Sequence, residues 1–136
     1  MDDFDAVTAL WRSVDGLGLG ASDSRERTAR YLERNPRMSF VASAGRELVG
    51  TVMCGTDGRR GYLGHLAVRP SHRRRGIGAA LVRRCLEALR EIDIPKCNLY
   101  VYADNADAIA FWKRMGWRSW EDRGVTGMSI DLTDGN

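Results

Sequence analysis

The sequence contains only three cysteines and two histidines among 136 residues, and this scarcity excludes several kinds of site. Cys54, Cys85 and Cys97 are odd in number and widely spaced, so they predict neither a disulfide framework nor a zinc site. Because His65 and His72 are the only histidines, a histidine-rich metal centre is also excluded. We expect no metal, and we expect the three thiols to be reduced and buried.

Long apolar runs and a basic leader are missing as well. No run approaches the ~20 residues of a membrane-spanning helix, and the chain begins Met1-Asp2-Asp3, where a secretory signal would be basic. We therefore expect a cytoplasmic protein without a membrane partner. A chain of 136 residues is long enough for one core and too short for two, which predicts a single domain over residues 1–136.

Acidic residues are absent from the stretch 59–84, although the net charge of the whole chain is only +3. The stretch carries eight arginines: Arg59, Arg60, Arg69, Arg73, Arg74, Arg75, Arg83 and Arg84. Such a cluster can attract phosphate, nucleic acid or an anionic surface. Charge alone does not separate these ligands, so the local structure around the arginines has to decide.

Periodic apolar residues divide the chain into helices and strands. Helices are predicted over residues 3–14, 22–35, 76–91 and 105–115, and the second of them is capped by Ser22 or Ser24. Strands are predicted over 39–43, 47–54, 62–68, 98–102, 117–121 and 125–132. The strand, helix and strand between residues 62 and 102 predict a βαβ unit with parallel strands, and hence an α/β class with a mixed sheet.

The stretch from Leu66 to Ala79 combines the end of a strand, a basic loop and the start of a helix that carries glycines. Free backbone N–H groups at a helix N-terminus, together with the helix dipole, form an anion site. Gly76 and Gly78 allow a phosphate to approach the main chain, and the arginines add charged donors. The loop lacks the Gly-Lys-Ser or Gly-Lys-Thr of a Walker loop, and Leu81 replaces the third glycine of a dinucleotide fingerprint. We therefore predict a diphosphate-binding loop of another kind.

Two motifs resemble those of the GNAT superfamily of N-acetyltransferases. The first, Arg73-x-x-Gly76-x-Gly78 after Val68-x-Pro70, resembles that superfamily's acyl-CoA signature. The second is Asn105-x-x-Ala108-x-x-Phe111-Trp112-x-x-x-Gly116-Trp117, which follows in the expected order. The resemblance covers about residues 4–132 and in detail is greatest to the YpeA-like bacterial acetyltransferases.

The resemblance implies a three-layer α/β fold with a mixed central sheet, a parallel βαβ core and helices on both faces. Members of the superfamily usually begin with a strand before the first helix, whereas this chain begins almost inside that helix. We therefore expect the first strand to be absent from this sequence, either because the protein lacks it or because it lies upstream.

The resemblance also implies acetyl-CoA as the cosubstrate. Main-chain N–H groups from Arg74 to Ala79 would bind the pyrophosphate, the main chain of Leu66 to Val68 would pair with the pantetheine between splayed strands, and an amide near Val68 would polarise the thioester. Asn105 would bind the pantetheine arm, and Phe111 and Trp112 would enclose the thioester. The expected cosubstrate-binding residues are Leu66, Ala67, Val68, Arg73, Arg74, Arg75, Gly76, Ile77, Gly78, Ala79, Asn105, Phe111 and Trp112.

The catalytic residues depart from the superfamily's pattern. Trp112 replaces the usual tyrosine acid, and an indole N–H does not give up its proton near neutral pH. Tyr62 and Tyr100 stand where other branches carry a base, so we expect a water relay that touches one of them. Strand alternation places Tyr62 and Gly64 on one face and His65 on the other, which favours a packing or surface role for His65.

The expected reaction is direct attack of a primary amine on acetyl-CoA in a ternary complex, because no cysteine lies in either motif to carry the acetyl group. A CoA-binding module that has lost catalysis is the alternative, and nucleic-acid binding is disfavoured because no base-stacking signature accompanies the arginines. The acceptor is a small molecule or a peptide, and a homodimer is left open. The superfamily usually builds its acceptor pocket from the first two helices and the last hairpin, so the resemblance implies these candidates: Trp11, Asp23, Glu26, Trp120, Glu121 and Asp122.

Overall fold

The computed structural model describes residues 3–14, 17, 19–120 and 123–132. The helices are α1 (Phe4–Ser13), α2 (Arg25–Arg34), α3 (Ile77–Glu91) and α4 (Ala106–Arg114), and the strands are β1 (Phe40–Ala44), β2 (Glu47–Thr56), β3 (Gly61–Val68) and β4 (Cys97–Asn98). Short 3-10 turns cover Ala21–Asp23 and Pro70–His72. The chain divides into two compact units, Met1–Tyr100 and Val101–Asn136, and the expected single domain over residues 1–136 stays a prediction. Within the described residues, no helix is both long and apolar enough to span a membrane.

The first unit contains a mixed sheet in the order β1-β2-β3-β4. The first three strands are antiparallel, whereas β3 and β4 are parallel and flank α3, which confirms the predicted βαβ unit. The β3–β4 ladder joins only Gly61 to Cys97 and Tyr62 to Asn98. The predicted strand over 98–102 is therefore wrong beyond residue 98, because β3 continues to Val68 without β4 alongside it. The expected splaying of the two strands stays a prediction.

Helices cover both faces of this sheet. On one face, a side chain at Gly50 would lie 3.1 Å from Ile77 and Leu81, which shows how closely α3 packs on β2. On the other face, Leu10 and Trp11 of α1 form a buried cluster with Leu48 and Ala67. The three-layer arrangement is thus confirmed for the first unit.

The helix starts follow local chemistry. Ser24 caps α2, because its Oγ accepts a hydrogen bond from the N–H of Arg27 at 3.2 Å. Gly76 precedes α3 with a φ of 79°, a left-handed conformation that glycine adopts without the strain of a side chain. Of the two serines predicted as caps, Ser24 is therefore the one used.

The second unit is built around α4. The Oδ1 of Asn105 caps this helix by accepting from the N–H of Ala108 at 3.2 Å, and Gly116 follows the helix with a φ of 95°. Trp112 packs edge-on against Phe111 and Trp117, with ring centroids 5.0 and 5.2 Å away. The unit therefore has an aromatic centre.

The two strands predicted last in the chain are not formed over the described residues 117–120 and 125–132. Met128, Ile130 and Leu132 alternate as in a strand, yet their exposures are 92%, 83% and 89%. A strand needs a hydrogen-bonded partner, and the alternation alone does not provide one.

Candidate active site

The loop between β3 and α3 is anchored by two arginines. The N–H of Arg69 donates to the carbonyl of Val49 and its Nε donates to that of Leu48, both at 2.8 Å. The Nε of Arg73 donates to the carbonyl of Val68 at 3.2 Å. Two residues of the loop, Arg74 and Gly76, have left-handed backbones with φ of 64° and 79°. The chain therefore turns sharply twice before α3 begins.

This turn leaves a positively charged helix start open to a ligand. The N–H groups of residues 74–79 donate to no acceptor among the described residues, and no side chain caps α3. Arg73, Arg74 and Arg75 are exposed, and no described carboxylate pairs with them. A Cβ added at Gly76 would meet no atom within 4 Å. These features fit the requirements of a phosphate site: free donors, positive charge and space.

The edge of β3 that continues beyond β4 offers main-chain groups for pairing. On its other edge β3 is bonded to β2, as in the pairs Thr51–Ala67 and Gly50–Val68. Within the first unit, the β4 side of residues 63–68 has no strand partner among the described residues. Leu66, Ala67 and Val68 lie on this edge, and the expected pairing of their main chain with the pantetheine stays a prediction.

A β-bulge interrupts β3 next to this edge. Gly64 pairs with Met53 and Ala67 pairs with Thr51, so His65 and Leu66 together oppose the single residue between Thr51 and Met53. His65 has a φ of 51°, in the left-handed region that a residue with a side chain rarely adopts. The bulge adds one residue to β3, so side chains beyond it no longer face the sides that a simple alternation along the strand predicts.

The bulge corrects the predicted position of His65. Tyr62 pairs with Gly55, whose added Cβ would lie 2.6 Å from the Tyr31 hydroxyl, so Tyr62 faces α2. The ring of His65 lies 4.7 Å from that of Trp11 in α1. Thr51, which bonds to Trp11, is four positions from Gly55 on β2, so α1 and α2 cover the same face of the sheet. His65 therefore shares its face with Tyr62, and the prediction of opposite faces is wrong.

His65 belongs to a chain of hydrogen bonds. Its Nε2 lies 2.7 Å from Oδ1 of Asp23, and Oδ2 of Asp23 accepts from the N–H of Gly20 at 2.8 Å. The indole N–H of Trp11 donates to the Thr51 hydroxyl at 3.0 Å, and that hydroxyl donates to the His65 carbonyl at 3.1 Å. Sequence reasoning missed the His65–Asp23 pair, because the two residues are 42 positions apart. Gly64, a glycine inside the strand directly before the bulge, is the one local signal that could have indicated it.

Of the two tyrosines expected to form a relay, Tyr62 lies at the other end of β3 and Tyr100 follows β4. The Tyr62 hydroxyl donates to Oδ2 of Asp57 at 3.3 Å. Hydrogen bonds from the N–H groups of Arg60 and Arg59 lower the pKa of Asp57, and the negative charge of Asp57 raises the pKa of Tyr62 above its ordinary value. Tyr62 is therefore held in its neutral form. Tyr100 is 76% exposed, and a relay through either tyrosine stays a prediction.

The candidate residues of the second unit lie on α4 and at its start. Asn105 uses its side-chain oxygen as the helix cap, which leaves its amide N–H groups as donors. Trp112 is only 9% exposed, yet its indole nitrogen has no hydrogen-bond partner among the described residues. Since no buried nitrogen or oxygen of a described side chain lacks a partner, that indole N–H must reach the surface.

The acceptor-pocket candidates are partly corrected. Trp11 is 2% exposed and belongs to the core, so the expectation that it lines a pocket is wrong. Glu26 points to solvent and pairs with Arg30 on the same helix at 3.3 Å. Asp23 is bound to His65, and Trp120 is half-buried. Glu121 and Asp122 lie outside the described residues.

Cys54, Cys85 and Cys97 form no disulfide with one another, and the expectation that all three are buried is wrong for Cys97. Cys54 and Cys85 are fully buried, whereas Cys97 is half-buried. The hydrogen bond with Cys54, and then burial, raise the pKa of Cys85, and its Sγ donates to the carbonyl of Met38 at 3.3 Å. Two of the three thiols are thus unavailable to carry an acetyl group. In the described part of the chain, no cluster of three or more potential ligands could hold a metal ion.

Comparison with known proteins identifies the family. The acetyltransferase (GNAT) family model matches residues 5–117. The chain belongs to this family. It is 37% identical over 114 residues to a protein named acetyltransferase from Sodalis glossinidius, covering 84% of this chain and 80% of that one. It is 38% identical over 122 residues to an acetyltransferase from Photorhabdus laumondii, covering 90% and 82%. The chain is thus an N-acetyltransferase, and its place in a YpeA-like branch stays a prediction.

A solved structure shows the same fold. A GNAT family acetyltransferase from Streptococcus pneumoniae superposes with a TM-score of 0.72 at 23% identity, covering 96% of this chain and 92% of that one. The expected GNAT-like mixed α/β architecture is thereby confirmed.

Proposed function

We propose that this chain transfers the acetyl group of acetyl-CoA to a primary amine by direct attack in a ternary complex. The observation that carries the proposal is the open, positively charged start of α3, where free N–H groups, exposed arginines and the space beside Gly76 coincide. A diphosphate fits these donors, and the family membership supports acetyl-CoA as the diphosphate that binds.

The proposed contacts follow the order of the cosubstrate. The N–H groups of residues 74–79 bind the pyrophosphate, and the guanidinium groups of Arg73, Arg74 and Arg75 balance its charge. The free edge of β3 at residues 66–68 pairs with the pantetheine, and one N–H near Val68 polarises the thioester carbonyl. In the second unit, Asn105 is assigned the pantetheine arm, while Phe111 and Trp112 are assigned the thioester end.

The proposed chemistry needs no acetylated enzyme. Binding acetyl-CoA and the amine together places the nitrogen near the thioester carbon, and such positioning supplies much of the acceleration. Trp112 can hydrogen-bond the departing sulfur but does not protonate it, since an indole does not release its proton near neutral pH. A thiol has an ordinary pKa of about 8.5, so water protonates the thiolate without a dedicated acid.

The acceptor is proposed as a primary amine of a small molecule or a peptide. A solved neighbour with a TM-score of 0.75 at 15% identity, covering 96% of this chain and 93% of that one, is AAC(6')-Iy in complex with the bisubstrate analogue CoA-S-monomethyl-acetylneamine. Its ligand is a bisubstrate analogue that contains CoA, which agrees with the proposed ternary complex. The single domain over residues 1–136 and the cytoplasmic location stay predictions.

Thermal unfolding with and without acetyl-CoA tests the proposal. Acetyl-CoA at 100 times its Kd should stabilise the chain by about 2.7 kcal/mol, which gives a clear rise in Tm. Acetyl-pantetheine, which lacks the pyrophosphate, should give little rise. The same samples are then assayed for CoA release with a peptide N-terminus, a lysine peptide, a polyamine and an aminoglycoside.

Two matched arginine variants show where the cosubstrate binds. Arg75→Ala should weaken acetyl-CoA binding at least roughly tenfold, since a hydrogen bond to a charged group contributes about 1.5–3 kcal/mol. Arg90→Ala, at the exposed far end of α3 and roughly 20 Å away, should leave the affinity unchanged. Equal affinities of the unsubstituted chain and both variants for acetyl-CoA would contradict the loop as the binding site. Binding without CoA release would indicate a module that has lost catalysis.

A further inference from the structure

We propose that His65 is the general base that deprotonates the acceptor amine, with Asp23 as the positioning residue that holds it. The inference rests on the proposed acetyl transfer and adds the identity of its base. It depends on the contact of His65 with Asp23, the bulge that aims the ring and the free second nitrogen of that ring.

The contact with Asp23 selects the tautomer of His65. Oδ1 of Asp23 lies 2.7 Å from Nε2 of His65. An ionised carboxylate oxygen can only accept a hydrogen bond, so the nitrogen that faces it must carry the proton. The neutral ring therefore carries its proton on Nε2 and keeps the lone pair on Nδ1, which is the arrangement a base requires. Asp23 is itself fixed, because its Oδ2 accepts from the N–H of Gly20.

The ring is held by the bulge of β3. His65 takes its left-handed φ of 51° while Thr51 binds its carbonyl and the ring of Trp11 lies edge-on at 4.7 Å. Bulges commonly re-aim a side chain beside an active site. Leu66, the next residue, begins the strand edge proposed to pair with the pantetheine, and adjacent Cα atoms are about 3.8 Å apart. The ring is thus one residue before the edge proposed to pair with the pantetheine and three residues before Val68, whose N–H is proposed to polarise the thioester.

The second nitrogen of the ring is accessible. Nδ1 of His65 has no hydrogen-bond partner in the described part of the chain, although the side chain is only 27% exposed. Because buried side-chain nitrogens and oxygens among the described residues all have partners, Nδ1 must reach solvent. Because Nε2 is occupied by Asp23, Nδ1 is the ring nitrogen that remains for an amine.

The proton balance of the step is complete. An ammonium group gives one proton to Nδ1 of His65, and the neutral amine attacks the thioester carbon. As the C–N bond forms and the C–S bond breaks, the nitrogen loses its second proton and the sulfur leaves as a thiolate. One of the two protons ends on the thiol of CoA and the other goes to solvent. His65 thereby returns to its neutral form.

Substitutions that keep the contact but remove the base test this role. His65→Gln retains an amide donor for Asp23 and has no nitrogen that accepts a proton. We expect kcat to fall roughly 10²–10⁴-fold, the contribution typical of a general base, with the KM for acetyl-CoA unchanged. Asp23→Asn should lower kcat less, because the imidazole remains. Asp5→Asn, which removes an exposed carboxylate of α1 paired with Arg25, is the matched control and should leave kcat unchanged.

Chemical rescue distinguishes a general-base role of His65 from a purely structural role. Imidazole added to His65→Ala should restore part of kcat, since Nδ1 lies where solvent reaches. A loss of kcat in His65→Gln or His65→Ala without any rescue would overturn the inference in favour of a structural role. Unchanged kcat in His65→Gln, together with a fall in Tyr62→Phe or Tyr100→Phe, would overturn it in favour of the relay.

The tautomer can be measured without any acceptor. Long-range ¹H–¹⁵N spectra of the unsubstituted chain should show His65 protonated on Nε2 and not on Nδ1. A proton on Nδ1 of the neutral ring would overturn the inference even if no amine proved active. Failure of the proposed function is a separate result, because it removes both the acetyl-CoA shift and CoA release from the unsubstituted chain.

Discussion

Replacing Thr51 with valine should lower the free energy of unfolding, because the Thr51 side chain links α1 to the bulge in β3. Thr51 is 2% exposed, and its hydroxyl accepts from the indole N–H of Trp11 while donating to the carbonyl of His65. Valine has nearly the same shape and is equally suited to a strand, so packing and β-propensity change little. The substitution therefore isolates the two hydrogen bonds.

The expected cost follows from what is left without a partner. Each hydrogen bond contributes about 1 kcal/mol net, and a buried donor that loses its acceptor costs about 1–3 kcal/mol. Trp11 is itself 2% exposed, so water cannot replace the lost hydroxyl. We expect a loss of about 2–4 kcal/mol in the free energy of unfolding, which lowers Tm by roughly 8–16 °C for a chain of this size.

Urea denaturation followed by circular dichroism measures this loss, and two further variants check its origin. Thr51→Ser keeps the hydroxyl and should retain most of the stability that valine loses. A double-mutant cycle with Trp11→Phe should show a coupling energy, because residues that share a hydrogen bond do not contribute independently. A loss below about 1 kcal/mol for Thr51→Val, or equal losses for valine and serine, would refute the reasoning about this unpaired N–H.

Two further substitutions test packing and the leaving-group step. Gly61→Ala should lower the free energy of unfolding by about 1–3 kcal/mol in the same urea assay, because the new Cβ would lie 2.5 Å from Cδ1 of Leu89. Gly64→Ala is its control, because a Cβ at that position would meet no atom within 4 Å. Equal losses in the two variants would contradict the clash. Trp112→Tyr should raise the rate of CoA release, because a phenol can protonate the departing sulfur, whereas a fall at a temperature where the variant is folded would show that the indole is required.

The elements that the sequence predicted correctly depend on local patterns. Apolar spacing marked α1 and α3, and Ser24 is one of the two serines that the sequence predicted as the cap of α2. The predicted diphosphate-binding loop depends on the same kind of local pattern. A strand end, a run of arginines and a glycine follow one another directly in the chain, so this prediction needs no knowledge of distant contacts.

The elements that the sequence did not predict depend on distant contacts. The β3–β4 ladder ends at Tyr62, and no pattern in residues 98–102 indicates where a neighbouring strand diverges. The alternation of Met128, Ile130 and Leu132 predicted a strand, but a strand forms only where a neighbouring strand is available to pair with it. The bulge at His65 is stabilised by Thr51 and by Trp11, which lie 14 and 54 positions away. Such contacts are set by the packing of α1 on the sheet.

The distinction between local patterns and distant contacts also separates the proposed binding loop from the proposed base. The position six residues before Val68, where other branches carry a base, is Tyr62 in this sequence. The bulge at His65 instead places two residues opposite one and brings the imidazole to the face covered by α1. A base cannot therefore be located by its distance from the loop along the chain. If acetyl-CoA is bound by the β3–α3 loop and the amine is deprotonated where β3 meets the Ala21–Asp23 turn, substitutions in the two places should separate kinetically. Changes at Arg75 should alter the affinity for acetyl-CoA, whereas changes at His65 should alter kcat alone.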